Sequence, residues 1–261
     1  MVAAVHEFLE IARYKEFLRN LVIRDIKVRY KRSFLGFLWV MLNPLLMMLI
    51  MNMVFSGLFK VSTQNYTAYL LSGIILWNFF SQSTTTAVLS LLSNSNLIKK
   101  IYIPKSVFPL SVIVSAVINF LFSLIPLFLI FYLTGTPLSP FVYLVPVIIL
   151  LSGIFSFGIS LILSTLTVFF HDTKYIYDVL LLGWMYATPI FYPEAIIPEK
   201  YVFLLHMNPL YYFISAFRGA LYMDIPSFFT KLLYGSLFSI AALTVGWFLY
   251  SRYKDRVVYY L

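Results

Sequence analysis

The chain contains no cysteine and few charged residues, and each shortage excludes whole classes of protein. Without cysteine there is no disulfide, no thiolate metal ligand and no cysteine nucleophile, and the redox state of the compartment cannot be inferred. Only 11% of its 261 residues are charged, whereas soluble domains carry about 25%. Because 61% of the residues are hydrophobic, we predict an all-α integral membrane protein with most of its chain in lipid.

The sequence also lacks the signatures of a catalytic site. No Gly-Lys dipeptide occurs, so the chain has no phosphate-binding P-loop of its own. His6, His171 and His206 are too scattered to form a metal site, and no acidic pair, nucleophile elbow or kinase motif is present. We therefore predict that the chain is not an enzyme and binds no metal or cofactor. Any energy that it uses must come from a partner protein or an ion gradient. Residues 1–32 contain no long apolar core, so a cleavable signal peptide is not expected.

Long uncharged runs, separated by polar turns, predict six membrane spans. A hydrocarbon core about 30 Å thick requires about 20 helical residues. No charge occurs between Lys105 and Asp172, and the turn at residues 134–137 divides that stretch into two spans. A basic leading segment, 1–33, therefore precedes a membrane domain, 34–261, whose approximate spans are 34–59, 66–92, 106–132, 140–169, 175–193 and 232–251.

The fourth predicted span carries small residues at regular spacing. Serine recurs at every fourth position from Ser152 to Ser164, with Gly153 and Gly158 nearby. Small residues at this spacing allow two helices to approach closely in lipid. We therefore expect this span to pack against another helix.

The region after the fourth span is irregular. The fifth span is short, and Asn208-Pro209 interrupts the apolar stretch that follows it. Backbone that leaves helical geometry at membrane depth persists only where protein or water satisfies its polar groups. We therefore predict a re-entrant segment, 195–221, that borders a cavity.

Most Lys and Arg residues fall on one side of this arrangement. Fifteen of the nineteen lie before the first span, between spans two and three, after span four, or at the C-terminus. Cytoplasmic loops are enriched in Lys and Arg, so both termini are predicted to be cytoplasmic. The net charge of +9 is also typical of proteins that bind nucleic acid, but these basic residues lie between apolar runs, and we predict no nucleic-acid partner.

Two basic segments allow a functional and a simpler interpretation. Apolar side chains from Tyr14 to Val28 share a helical stripe, which suits a helix in the membrane interface. A plain polybasic topology anchor explains the same charges. The loop 96–104 ends at Pro104, which stops any helix. It is either a short docking helix or an ordinary cytoplasmic loop.

Two charged residues lie within or beside the apolar regions. Arg218 falls inside the re-entrant segment, and Asp178 lies near the start of span five. Charges in such places usually have functional or paired roles. A simpler interpretation of Asp178 is an i,i+4 pair with Lys174.

Three parts of the sequence carry a family resemblance. Residues 24–39, RDIKVRYKRSFLGFLW, followed by LNPL at 42–45, resemble the beginning of the first span in ATP-binding-cassette permeases that export polysaccharides. Residues 96–110 resemble the loop between spans two and three of that family. TPIFYP at 188–193 and NPL at 208–210 resemble its exit-side region.

The resemblance implies the membrane half of an exporter similar to those for O-antigen, capsule and teichoic acid. Such a permease would be a homodimer in the cytoplasmic (inner) membrane, with two copies of a separate ATPase subunit that binds ATP and Mg²⁺. Its cargo would be a lipid-linked polysaccharide, moved outward through a channel at the dimer interface. One departure is His171-Asp172, where relatives often have Arg-Asp, so no role follows for that basic position.

The resemblance also implies roles for individual residues. The coupling helix seated in the ATPase would comprise residues 96–104, through Asn96, Leu97, Ile98, Lys99, Lys100, Ile101, Tyr102 and Pro104. The interface helix would contribute Arg24, Lys27, Arg29 and Tyr30. The exit-side re-entrant region would include Pro189, Tyr192, Asn208, Pro209 and Arg218.

Aromatic residues make up 19% of the chain, with 20 Tyr and 26 Phe. Interfacial belts account for many of them, and the surplus suits a path along which aromatic faces stack on sugar rings. In the family that the chain resembles, spans one and five flank the conduit. Candidate lining residues on those spans are Phe37, Met41, Trp184 and Tyr186.

Two other functions fit parts of the sequence. A permease for small molecules or drugs shares this architecture, because a fold does not determine its substrate. An ATP-independent transporter or channel is consistent with the broken helices, although ion coupling would require more ionisable groups within the membrane. The aromatic content and the motifs favour the polysaccharide exporter.

Overall fold

The computed structural model describes residues 13–31, 33–59, 65–223, 225 and 227–261, and this part of the chain is helical without any strand. Residues 1–12 and Arg32 of the leading segment lie outside the described residues, as does the side chain of Tyr30. The prediction of an all-α protein is confirmed. The α-helices are α1 (Lys15–Tyr30), α2 (Trp39–Phe59), α3 (Tyr66–Val88), α4 (Ser90–Ser93), α5 (Ser95–Ile98), α6 (Val107–Thr134), α7 (Val145–Phe169), α8 (Thr173–Ala187), α9 (Val202–His206), α10 (Pro209–Leu221) and α11 (Phe228–Tyr260).

Four stretches among the described residues are long and apolar enough to cross a membrane: Gly36–Phe55, Val107–Thr134, Val142–Phe169 and Phe228–Tyr260. They coincide with predicted spans one, three, four and six. The other two predicted spans fall on α3, with 23 residues, and α8, with 15. At 1.5 Å per residue these helices are about 34 Å and about 22 Å long. The structure therefore supports a multi-pass membrane protein, and the count of six spans stays a prediction.

Protein surrounds α3 and α10 on most sides. Residues 210–221 of α10 are all buried, and this helix contacts α3, α7 and α11. Phe80 of α3, Phe155 of α7 and Phe213 of α10 belong to one large apolar cluster. The helix that begins after the Asn-Pro break thus lies inside the bundle.

The backbones of α7 and α11 touch each other. A Cβ added at Gly246 would overlap the carbonyl oxygen of Gly158, and one added at Gly158 would overlap the backbone of Ala242. The hydroxyl of Ser239 also donates a hydrogen bond to the carbonyl of Leu151, 2.8 Å away. The four serines predicted to face another helix, Ser152, Ser156, Ser160 and Ser164, are buried. Small residues therefore set the distance between the two helices, as their spacing predicts.

The two ends of the bundle differ in chemistry. At one, termed the basic end, α1, α4, α5, the start of α6 and the C-terminal part of α11 share a small apolar cluster that includes Leu21, Ile98 and Val257. At the other, termed the aromatic end, the Phe141 ring stacks on Phe228 with 5.1 Å between centroids. The chain thus presents most of its basic loops at one end only.

Candidate functional site

A buried arginine holds the non-helical segment that follows α8, residues 188–192. Arg218 of α10 is 3% exposed. Its guanidinium donates hydrogen bonds to the carbonyls of Pro189 (2.9 Å), Ile190 (3.0 Å) and Tyr69 (3.0 Å), and lies 3.4 Å from the centre of the Tyr69 ring. Among the described residues no carboxylate pairs with it. Backbone dipoles and an aromatic face therefore take the place of a counter-ion.

The same segment receives further donors from α3. The Tyr69 hydroxyl lies within hydrogen-bond distance of the carbonyls of Pro189 (3.0 Å) and Tyr192 (2.7 Å), and the Tyr66 hydroxyl donates to Phe191 (2.7 Å). Four consecutive carbonyls outside any helix thus have donors within the protein. This explains why irregular backbone is tolerated beside apolar helices.

Gly73 makes room for the guanidinium. A Cβ added at this position would lie 2.6 Å from Nη2 of Arg218 and 3.3 Å from the Ile190 carbonyl oxygen. Any larger residue would displace the group that binds the 188–192 segment. The sequence analysis missed three members of this site, Tyr66, Tyr69 and Gly73.

Asn208 joins the start of α10 to the end of α8. Its side-chain oxygen accepts hydrogen bonds from the Leu210 backbone N–H (3.0 Å) and from Nε1 of Trp184 (2.8 Å), and its amide nitrogen donates to the Thr188 hydroxyl (2.9 Å). Pro209 then occupies the first helical position, where its missing N–H costs nothing. The Asn-Pro pair therefore caps α10 and holds the end of α8 in place.

A second tie crosses the aromatic end. The Glu194 carboxylate accepts hydrogen bonds from the hydroxyls of Tyr211 (3.0 Å) and Ser215 (3.3 Å). It also forms an ion pair with Nζ of Lys231 at 3.5 Å, where the Glu194 side chain is 45% exposed. This contact holds the chain beyond the 188–192 segment against α10 and α11.

The structure brings together all five residues predicted for the exit-side region, namely Pro189, Tyr192, Asn208, Pro209 and Arg218. The four predicted lining residues are dispersed. Trp184 packs inside the chain, with its ring 5.2 Å from Phe80, and Tyr186 is 60% exposed. Phe37 and Met41 are half-buried near the start of the first predicted span, where the Phe37 ring lies edge-on to Phe122 of α6 at 4.6 Å.

The predicted coupling helix, 96–104, is helical over only part of its length. Helix α5 ends at Ile98, Lys99 and Lys100 form a turn, and non-helical chain leads to Pro104. Ile98 and Pro104 are buried at the base, while Tyr102 is 93% exposed. The loop therefore presents its tip outward, and that surface includes Asn96, Lys99, Lys100, Ile101 and Tyr102.

Two neighbouring helices hold this loop at the basic end. Nη1 of Arg24 donates to the Asn94 side-chain oxygen (2.9 Å), and the Tyr14 hydroxyl donates to the Tyr102 carbonyl (3.3 Å). On the other side, Nζ of Lys105 donates to the Lys254 carbonyl (2.8 Å). The end of α11 therefore borders the same surface, which the sequence analysis did not anticipate because the charges there also fit a plain topology signal.

Two more predicted residues of the interface helix, Lys27 and Arg29, lie on the accessible side of α1. Lys27 is exposed, and Nη1 of Arg29 donates to the Gln82 side chain (3.3 Å). His171 and Asp178 are exposed as well. The structure shows no ion pair between Lys174 and Asp178 in the described part of the chain, so the simple i,i+4 interpretation is not realised.

The chain is similar to known membrane proteins over most of its length. The ABC-2 type transporter family model matches residues 16–222. The O-antigen export system permease protein RfbA of Klebsiella pneumoniae is 38% identical over 197 residues, 75% of this chain and 76% of that protein. RfbA of Myxococcus xanthus is 32% identical over 216 residues (82% and 83%), and the polysialic acid transport protein KpsM of Escherichia coli is 28% identical over 246 residues (91% and 93%). This multi-pass membrane protein therefore belongs to the ABC-2 type transporter family.

Proposed function

We propose that the chain is the permease subunit of an ATP-driven exporter that moves a lipid-linked polysaccharide outward across the inner membrane. The observation that carries this proposal is the similarity, over three quarters of the chain or more, to permeases named for O-antigen export and polysialic acid transport. A separate subunit would bind ATP and Mg²⁺ and hydrolyse the ATP.

The helices of the structure suit a six-span topology. In this arrangement α3 is the second span, and it falls below the hydropathy of the four most apolar stretches because protein rather than lipid surrounds most of it. Helix α8 with residues 188–192 forms the fifth, and α9 and α10 re-enter the membrane. The basic end lies in the cytoplasm under the positive-inside rule, which places both termini there and the aromatic end outside.

The loop tip at the basic end is the contact we assign to the ATPase. Lys99, Lys100 and Tyr102 project from a loop whose base is fixed by α1 and α11. Because the base of the loop is held by α1 and α11, a movement of the ATPase at the loop tip would be passed to these helices, and a movement of the helices would be passed to the ATPase. Two copies of the chain would each bind one ATPase.

The conduit would form where two copies meet along α2 and α8. Both helices expose apolar side chains, and Met53 and Val179 are 79% and 72% exposed. Met41 on α2 and Phe37 just before it are half-buried, and Tyr186 on α8 is 60% exposed. A polymer would pass the aromatic end beside the 188–192 segment.

Co-purification tests the proposal. The chain is co-expressed with candidate ATPase subunits, and recovery of a two-to-two complex with ATPase activity is the expected result. Tyr102→Ala should reduce recovery of the complex about 30-fold, because an exposed Tyr in an interface centre contributes about 2 kcal/mol or more. Tyr132→Ala is the matched control, since this tyrosine is 84% exposed on α6 away from the loop. If no ATPase is recruited, the proposal of an ATP-driven exporter is rejected in favour of an ATP-independent transporter or channel. If Tyr102→Ala and Tyr132→Ala give equal recovery of the complex, the loop tip is not the contact with the ATPase.

A further inference from the structure

A small cavity with both polar and apolar walls lies among α1, α2, α3 and α6, and none of the sites described above uses it. Its volume is about 170 Å³, the space of about six water molecules at about 30 Å³ each. The polar residues around it are Arg29, Asn43, Asn78, Gln82, Asn119 and Ser123. Trp39, Phe79 and Phe120 supply aromatic surface beside them. A cavity of this size holds one sugar ring or one phosphate, not a length of polymer.

Asn119 contributes a buried amide group to the wall of the cavity. This residue is 8% exposed, and its side-chain oxygen has no hydrogen-bond partner in the described part of the chain. An unpaired acceptor in a protein interior is unfavourable, so such groups usually meet a ligand or an ordered water. Its amide faces a space that Asn43 and Asn78 also line. Side-chain amides that converge on one space can hydrogen-bond neighbouring hydroxyls, as a sugar presents them.

A second hollow adjoins the first and contains donors suited to phosphate. It measures about 270 Å³ and is lined by Arg29, Ser81, Gln82, Thr85 and Thr86. Among the described residues, the guanidinium of Arg29 donates only one long hydrogen bond, to Gln82 at 3.3 Å, which leaves other N–H groups for a ligand. No acidic residue lines either hollow in the described part of the chain. Arginine beside hydroxyl groups is a common phosphate-binding arrangement.

We propose that the two hollows together bind a lipid headgroup that carries both a phosphate and hydroxyl groups. The phosphate lies against Arg29 and the hydroxyls of the outer hollow, and the hydroxyl-rich part enters the inner cavity towards Asn119. Two kinds of lipid have this chemistry: a lipid-linked saccharide and a bilayer phospholipid with a polyol headgroup. The choice of the saccharide as the natural ligand rests on the proposed export function, whereas the site itself does not.

Lipid binding to the purified full-length chain tests the site without any ATPase present. Native mass spectrometry in a polyoxyethylene detergent, which has neither sugar nor phosphate, measures the affinity for three probes. They are a polyprenyl diphosphate that carries one N-acetylglucosamine, phosphatidylglycerol, and a glucosyl diacylglycerol without phosphate. We expect the phosphorylated probes to bind and the unphosphorylated one to bind at least tenfold more weakly.

Two variants connect that binding to the cavity. Asn119→Leu and Arg29→Gln should each weaken binding of the phosphorylated probes about tenfold, and Lys27→Gln, on the exposed side of the same helix, should not. Asn119→Leu should unfold no more easily than the wild type, since leucine has the same branched shape, the adjoining cavity has room for its methyl groups, and the unpaired oxygen is removed. This combination separates a binding role from a structural one.

Each outcome decides a point. Preference for the saccharide probe identifies the export substrate as the source, and equal affinity for phosphatidylglycerol identifies a bilayer lipid at the same site. Unchanged affinity in both variants would show that the cavity holds water only and would overturn the proposal. A chain that binds these lipids but recruits no ATPase would refute the proposed export function and leave the site intact.

Discussion

Replacing Arg218 with methionine should release the 188–192 segment while the bundle stays folded. Methionine keeps most of the apolar volume of the arginine stem but removes every donor. The Pro189 and Tyr192 carbonyls would then share the single proton of the Tyr69 hydroxyl, and the Tyr69 carbonyl would still accept from Ser72 at 3.0 Å. The Ile190 carbonyl would lose its side-chain donor altogether.

The expected cost follows from these contacts. An unsatisfied buried carbonyl costs about 1–3 kcal/mol, and loss of the buried cation–π contact with Tyr69 costs about 2 kcal/mol. Removing a buried charge that has no counter-ion offsets part of this. A net cost of about 3 kcal/mol increases the open fraction of the segment about a hundredfold.

Hydrogen–deuterium exchange measures that opening. The Ile190 amide donates to the Thr188 carbonyl (2.7 Å), and its exchange should accelerate about a hundredfold in Arg218→Met. Lys231→Met is the matched control, because its partly exposed ion pair contributes about 1 kcal/mol or less. Exchange within threefold of the wild type in Arg218→Met, or faster exchange in Lys231→Met, would refute the reasoning.

Two further predictions concern helix contacts. Gly246→Ala places a Cβ against the α7 backbone and should lower the free energy of unfolding by about 2–3 kcal/mol. Gly183→Ala, with open space around it, should raise that free energy by about 0.5–1 kcal/mol. Circular dichroism during unfolding in dodecyl sulfate compares the two variants, and equal stability of both would contradict the close packing of α7 on α11. The Tyr177 hydroxyl donates to Thr84 at 2.7 Å, so a double-mutant cycle of Tyr177→Phe with Thr84→Val should give a coupling of about 1 kcal/mol. Tyr175→Phe, 68% exposed, should change nothing, and zero coupling would exclude the hydrogen bond.

The lengths of the uncharged runs predicted the positions of the long helices well and the ends of those helices poorly. The fifth predicted span was extended to residue 193, but α8 ends at Ala187 because the residue before Pro189 disfavours helical geometry. The sixth was bounded by Lys231 and Arg252, whereas α11 continues past both, since Lys and Arg are good helix formers. Absence of charge identifies the part of a helix that can lie in lipid, not the whole helix.

The candidate site was predictable where one residue is unusual by itself. Arg218 within an apolar run and the Asn208-Pro209 break are visible in the sequence. Tyr69 and Gly73 were missed because their role depends on a contact with Arg218, about 150 positions further along the chain. Trp184 was assigned to the channel, but a tryptophan on a half-buried helix can face either way, and here a hydrogen bond to Asn208 turns it inward.

Helix α11 is one stiff element that connects the two ends of the molecule. Its 33 residues extend over about 50 Å, from Phe228 at the aromatic end to Val257 at the basic end. A helix resists compression because shortening would break its hydrogen bonds, so a load on its last turns moves the whole rod. The close contact between Gly158 of α7 and Gly246 of α11 keeps the two helices at a fixed distance from each other. Force applied at one end of the bundle therefore reaches the other through a single rigid element rather than through loops.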